Sequence, residues 1–480
     1  MRTLQLAAFL VLSAGLLLGQ TAGPPTPRKR TPEATPFAPE LEHKLEALRD
    51  AALASDYAYR QLAYLTENIG PRPTGSAQAD AAAHHVADVM RAAGLDAKLE
   101  EVAVPHWVRG AETAELIAWR GQTPGTVQKI VVTALGGSTA TPADGLTADV
   151  VVVNNYDELQ TLGKEGVTGK IVLFNEKFDA RKATSGQWDA AYDEAVQYRG
   201  GGAKAAAALG AVASLVRSVG GAEYRLPHTG YSAPAGIPAG AVAAEDAETI
   251  AHLRQQGTVR MHLTLTPQQL PDVTGYNVIA DLKGSEHPEE VVIVSGHLDS
   301  WDLGTGAIDD GAGVVIAMGA VQLMKDLHLQ PKRTIRMVAW MNEETGSRGA
   351  AAYTKARTAD AANHIAAIES DLGAGHPLGF NAKISVAAIE MLKPMASVLA
   401  PIGANLMTPS TDDVGADISP LAALGVPTFG EMQDGRTYFN YHHTPADTLD
   451  KVVPRELQEN VAAMAVLAFT LAELPERLPR

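Results

Sequence analysis

Two kinds of residue, histidine and carboxylate, stand where apolar runs stop in this sequence. VVIVSG runs into His297-Leu298-Asp299, TIRMVAWMN into Glu343-Glu344, and HIAAIES into Asp371. Two further polar groups fall in loops: Asp309-Asp310-Gly311-Ala312-Gly313 and Tyr441-His442-His443-Thr444-Pro445-Ala446-Asp447. Taken singly these are ordinary. A strand-end His is usually a hydrogen-bonded structural residue, a Glu-Glu pair solvated surface, and Asp-Asp-Gly a turn or helix start. Together they form a donor set for a pair of Zn²⁺-like ions bridged by a carboxylate, with the hydrolytic chemistry of a metal-acidified water.

Positioning such a set requires elements that bring distant residues to one edge. The runs that end in His297, Glu343 and Asp371 are continuously apolar, as expected of parallel strands covered on both faces. Ligand sites in open α/β sheets lie at the carboxyl ends of such strands. YNVIADLKG and GVPTFGEM read as further strands, and 311–327 and 460–474 have helical spacing. The fold class is therefore α/β, with a mainly parallel, doubly wound sheet flanked by helices. Ahead of it, Leu41, Leu45, Leu48 and Ala52 predict a helix, a Gly/Pro turn follows at 70–76, and a second helix over 77–93 stops at Gly94.

Residues 105–267 have a different character. Short Val-rich strands (148–155 and 169–175) are followed by an Ala-rich helix after Arg199-Gly200-Gly201-Gly202. That glycine run lacks GxxxxGK[ST] and reads as a plain turn, not a phosphate cradle. The strand, VTGKIV turn and Ala/Gly helix resemble a protease-associated domain. The expected organisation is one discontinuous domain of residues 41–105 and 268–480, interrupted by an inserted module of residues 106–267.

Composition narrows the chemistry further. Of 480 residues, 39 are Lys or Arg and 55 Asp or Glu, a net charge of −16 that repels nucleic acid. Cysteine is absent, which removes disulfides, thiolate metal sites and a Cys nucleophile. No GxSxG is present to serve as a serine nucleophile elbow. At the start, Arg2 precedes an apolar run from Leu4 to Leu18, shorter than a spanning helix, so residues 1–22 read as a secretory signal. The Pro/Thr-rich stretch 23–40 reads as a flexible linker. A secreted or periplasmic protein without stable membrane association is expected.

GHLDSWDLGTGAIDDGAG, NEETGSRGA, ESDLGAG and HHTPADT resemble the motifs of the two-zinc exopeptidase family, whose members include leucine aminopeptidases and glutamate carboxypeptidases. PHWVRGAE (105–112), PHTGY (227–231), GPRPTGS (70–76) and the doubled His442-His443 are most similar to its glutamate carboxypeptidase-type members. The resemblance runs from about residue 41 to the end. It implies the zinc exopeptidase fold and two Zn²⁺ per chain, with Co²⁺ or Mn²⁺ as alternatives. It also implies His297 and Asp371 on one metal, Glu344 and His443 on the other, Asp309 bridging, and Glu343 as general base. A short peptide is the implied substrate, and a homodimer the implied assembly. Asp299 suits a role in orienting His297, and Asp447 one in orienting His443.

Many relatives carry Tyr immediately before the second His ligand. Here that position is His442, which becomes the candidate donor to the reaction's oxyanion; the alternative is a structural His packed behind His443. His84-His85 are expected to face solvent, His106-Trp107 to pack at a hinge, and His228 to sit in a structural turn or cap the substrate. Asp417 is a candidate supporting hydrogen-bonder. A dipeptidase or carboxypeptidase is the favoured activity. Its rivals are an aminopeptidase on the same scaffold, a single-zinc cyclotransferase of the glutaminyl cyclase type, and a non-catalytic receptor-like protein.

Overall fold

The computed structural model describes residues 36–479. The expected signal and residues 23–35 of the expected linker lie outside them, and the linker's last two residues, Pro39 and Glu40, already belong to helix Pro39–Ala54. Two eight-stranded sheets organise the described chain. The first has the strand order Asp96–Val108, Gln268–Leu282, Arg333–Trp340, His287–His297, His364–Glu369, Thr428–Gln433, Pro377–Lys383, Leu406–Pro409. Its four central strands, from Arg333–Trp340 to Thr428–Gln433, run parallel. The flanks do not: Gln268–Leu282 pairs antiparallel with both of its neighbours, and Pro377–Lys383 is antiparallel to Thr428–Gln433. The α/β class holds, but the sheet is mixed, with its parallel part at the centre. An apolar run reports burial, not direction, so YNVIADLKG gave no sign of being antiparallel.

Burial on both faces explains the unbroken central strands. Val292 and Val294 enter the main core, while Val291 and Ile293 join a smaller cluster on the opposite face with Trp340 and Tyr353. The main core is closed by helices Ala312–Asp326 and Pro454–Glu473, both nearly fully buried, with Pro39–Ala54 packed on the latter. Ala312–Asp326 is apolar on all sides because it is enclosed on all sides. The second predicted helix forms over Ala77–Ala92, capped by Ser76, and Gly94 leaves it at φ +79°.

Strands Asp96–Val108 and Gln268–Leu282 pair along most of their length, and residues between them build the second sheet. Its order is Gln128–Ile130, Glu112–Trp119, Val259–Leu265, Leu146–Val153, Ile171–Phe174, Ala213–Arg217, Ala239–Val242, Val132–Ala134. Two hydrophobic clusters of its own fill its faces. Arg199-Gly200-Gly201-Gly202 is not a turn: it lies inside helix Trp188–Ala208. Gly202 is pressed against the Phe174 ring at a distance that leaves no room for a Cβ, so close packing overrides the poor helix propensity of glycine.

Candidate metal centre and substrate cleft

The carboxyl ends of the parallel strands gather the predicted residues. His297 closes its strand with Nε2 at 3.1 Å from Asp309 Oδ1 and 3.4 Å from Asp371 Oδ1. Across Asp309, Oδ2 lies 3.0 Å from His443 Nε2, which is 3.1 Å from Glu344 Oε2. Two groups of three donors, His297–Asp309–Asp371 and Asp309–Glu344–His443, thus share Asp309. The seven residues expected to bind metal or act in the reaction, Glu343 and His442 included, line one cleft of about 580 Å³, whereas Asp299 and Asp447 do not. A third group, His287–Glu289–Glu290, is spent elsewhere, because Glu290 is held by Arg333 and Arg477.

The donor set fits a cation. Asp309 Oδ2 and Glu344 Oε1 are buried without a hydrogen bond, a costly state for carboxylate oxygens unless a positive ion meets them. Burial, with Asp309 nearby, pushes Glu344 up to about 7, and burial with Asp371 and Glu344 nearby raises Glu343 well above the usual carboxylate range. Burial opposes charge on His443, yet Glu344 and Asp309 outweigh it and lift that imidazole to about 9. Crowded acids that seek protons are acids that would bind dications.

The supports of this centre differ from those expected. His297 Nδ1 is 2.9 Å from the main-chain carbonyl of Asp299, whereas the Asp299 carboxylate is 3.9 Å away. That carboxylate instead accepts from the N–H groups of Asn342 (2.7 Å) and Glu343 (3.1 Å) and from the Thr74 hydroxyl (2.6 Å). It therefore fixes the backbone that presents Glu343 and Glu344. Asp447 does not touch His443 either: its Oδ1 accepts from Ala307 and Ile308, both at 2.7 Å, and sets the loop carrying Asp309. Asp417 has both carboxylate oxygens buried and unpartnered, so the expected hydrogen-bond support is missing.

Two residues not predicted complete the scaffold on the sheet side. Asp310 accepts from His297 N–H and Gly313 N–H, each at 2.9 Å. Arg72, fully buried, donates to the carbonyls of Leu298, Thr305 and Gly306, tying the loop after His297 to the loop before Asp309. The motif GPRPTGS was visible in the sequence, but carbonyl partners have no sequence signature.

The segment between strands Asp96–Val108 and Gln268–Leu282, called the module below, supplies the far wall. His228 is buried with Nε2 3.2 Å from His442 Nδ1. His442 stacks on His443 at 3.6 Å and turns its own Nε2 to within 3.3 Å of Asp309 Oδ2. It sits beside His443 on the cleft, not behind it. His443 itself adopts φ 58°, a left-handed conformation that non-glycine residues hold mainly at functional sites. Its Nδ1 faces Thr229 carbonyl (3.3 Å) and Arg199 Nη1 (3.2 Å), both from the module. Arg109 clamps module to sheet, with two bonds to Asp302 at 2.8 and 2.7 Å. Trp107 meets Trp301 edge-on at this junction. His84 is exposed, while His85 stacks on Tyr64.

Comparison with known proteins places this arrangement. The profile of peptidase family M28 matches residues 277–468. Carboxypeptidase Q of Bos taurus is 37% identical over 433 residues, spanning 89% of this chain and 88% of that protein. The crystal structure of a peptidase M28 precursor from Shewanella amazonensis superposes with TM-score 0.86 at 37% identity, covering 92% of this chain and 98% of that one. A zinc aminopeptidase from Bacillus subtilis shares the fold, with TM-score 0.64 at 21% identity over 87% of this chain and 95% of that one. Fold, donor set and likenesses define a metallopeptidase of the exopeptidase type. Within that class, the chain belongs to peptidase family M28.

Proposed function

We propose that this protein is a secreted, zinc-dependent dipeptidase or carboxypeptidase acting on short peptides, comparable to the carboxypeptidase Q relatives it matches. The observation that supports this best is the pair of three-donor groups sharing Asp309 in one cleft. His297, Asp371 and Asp309 would hold one zinc, and Glu344, His443 and Asp309 the other. Bound there, zinc would polarise the scissile carbonyl and acidify the attacking water. Glu343 takes the proton from that water and returns it to the leaving amine. His442 donates from Nε2 to the oxygen that gains charge; burial and the neighbouring His443 keep its imidazole well below the ordinary range, hence neutral and in the N–H form. The module, a protease-associated-like domain inserted at residues 106–267, walls the cleft and favours short substrates.

The aminopeptidase reading stays beside this one because of the fold shared with the Bacillus subtilis enzyme. The two separate on a set of dipeptides that are free, N-acetylated or C-amidated, with metal-loaded, chelated and Glu343→Ala protein. Metal-dependent cleavage that needs a free carboxyl end supports the proposal. Equal cleavage of C-amidated peptides would move the activity to the aminopeptidase type, and turnover by Glu343→Ala would remove Glu343 as the base.

A further inference from the structure

His228 comes from the module and His442 from the loop that carries His443, and the two buried residues share one hydrogen bond: Nε2 of the first lies 3.2 Å from Nδ1 of the second. A contact between two ring nitrogens holds a single hydrogen, so one ring donates and the other accepts. The far edge of His442 decides which. Its ring lines the cleft, and its Nε2 stands 3.3 Å from Asp309 Oδ2. A lone pair there would be turned on a carboxylate oxygen, whereas an N–H is attracted to it. The hydrogen of neutral His442 therefore belongs on Nε2, its Nδ1 accepts, and His228 Nε2–H is the donor.

The surrounding atoms agree. With its hydrogen on Nε2, His228 carries a lone pair on Nδ1, and that nitrogen is in no well-formed hydrogen bond. The opposite assignment would leave an N–H unpaired at this nitrogen and a lone pair against Asp309, two costs in place of one. The donating ring is held by its own segment: the Ser218 hydroxyl accepts the main-chain N–H of His228 at 3.0 Å and donates to the Val242 carbonyl at 3.0 Å. Next to it, Thr229 N–H reaches the His443 carbonyl at 2.9 Å and fixes His228 in register with the histidine pair. His228, His442 and His443 are close enough to suggest a third metal group, but His443 has no nitrogen to spare. Its Nε2 faces Asp309 and Glu344, and its Nδ1 faces the Thr229 carbonyl.

We propose that His228 is a positioning residue for the reaction: its Nε2–H holds His442 in the tautomer that presents Nε2–H to the cleft. This rests on the peptidase reading above, with His442 as donor to the oxyanion, and extends that reading to the module. The module then takes part in the chemical step as well as walling the cleft. In the opposite tautomer His442 would turn a lone pair on an oxygen that gains negative charge, and its stabilisation would be lost.

The test reads tautomer and rate on the same proteins. Ring-nitrogen NMR shifts, which separate protonated from unprotonated nitrogens, are recorded on histidine-labelled protein, zinc-loaded and chelated, and the His442 signals are assigned by their absence from His442→Ala. kcat and KM for Leu-Ala, with zinc content per chain, are measured for wild type, His228→Phe, His228→Gln, His442→Ala and the His228→Phe/His442→Ala double variant. Wild-type His442 should be protonated at Nε2. His228→Phe keeps a flat ring without the donor; it should populate both His442 tautomers and lower kcat by about 10-fold, with KM and zinc content within about 2-fold of wild type. His228→Gln, which can place an amide N–H near the same point, should recover most of that loss. In the His442→Ala background, His228→Phe should add nothing. A wild-type His442 protonated at Nδ1, or a His228→Phe protein whose His442 keeps its tautomer, would overturn the proposal. So would equal loss of kcat in His228→Phe and His228→Gln together with loss of zinc, which would make His228 a support of the turn at His443. Wild-type kcat in His442→Ala would remove the oxyanion role on which the proposal rests, and the nitrogen shifts would still decide which ring donates.

Discussion

The loops of the first, mixed sheet and the wall built by the segment that carries the second sheet meet at His442 and His443, and they hold the site by opposite means. On the sheet side, candidate ligands are fixed through backbone: Asp310 takes the N–H of His297, Asp447 those of Ala307 and Ile308, and Asp299 those of Asn342 and Glu343. On the other side, His228, Thr229 and Arg199 reach the outer nitrogens of the histidine pair, and Asp189 lines the cleft. The first side can set metal geometry and proton transfer. The second contacts His442, the candidate carbonyl-oxygen donor, and the outer nitrogen of the candidate ligand His443.

The largest effect should come from the sheet side. Glu343→Gln keeps shape and removes the base, so kcat should fall by roughly 10³- to 10⁴-fold while zinc content, read by atomic spectroscopy, stays at the wild-type value. Loss of zinc instead would make Glu343 a ligand. Next is the histidine pair. His442→Ala should cost about 10²- to 10³-fold in kcat if it donates to the oxyanion. His228→Phe should cost roughly 10-fold on its own but nothing further in the His442→Ala background, since it acts through that imidazole. Additive losses would separate the two rings and break the division drawn above. A smaller change is expected at Asp299. Removing its carboxylate by Asp299→Ala frees the N–H groups of Asn342 and Glu343, so kcat should drop by about 10- to 100-fold with zinc retained. Zinc loss there would restore the orientation of His297 as its main role.

How far the sequence disclosed this site follows the same division. Residues that end apolar runs, such as His297, Glu344 and Asp371, were legible because burying a polar group at a strand end demands a reason. His442 and His443 were legible as a pair in a turn. Their partners were not. His228 and Arg199 lie more than 200 positions from the histidines they touch, and no local pattern encodes that pairing. Asp299 and Asp447 were picked out as important, but their partners are main-chain N–H groups, which every residue carries. Arg199-Gly-Gly-Gly reads as a turn because propensity speaks against three glycines in a helix, and the contacts that account for two of them, the Tyr156 hydroxyl against Gly201 and the Phe174 ring against Gly202, are long-range.

The two halves also differ in how they bury acids away from the centre, which pH can probe. In the module, Asp246 is buried but engaged through Oδ2, which accepts from Val131 N–H at 2.6 Å and Arg225 Nη2 at 2.8 Å. In the main sheet, Glu431 is buried on strand Thr428–Gln433 with neither oxygen in a well-formed hydrogen bond. Burial pushes it up to about 8, with only the Ser370 hydroxyl working the other way. Between its ordinary value near 4.5 and about 8, the folded chain keeps a proton on Glu431 that the unfolded chain releases. Stability contributed there is present at low pH and drains as pH rises through that window, by at most about 1.4 kcal/mol per pH unit. Glu431→Gln cannot titrate. Relative to wild type, it should therefore gain on the order of 2–3 kcal/mol between pH 5 and pH 8 in denaturant unfolding, whatever its absolute stability. Asp246→Asn instead alters an acceptor already bonded to Val131 N–H and Arg225. Parallel pH curves for Glu431→Gln and wild type would mean that the sheet has paired this acid too, and the contrast in how the two halves bury charge would fail.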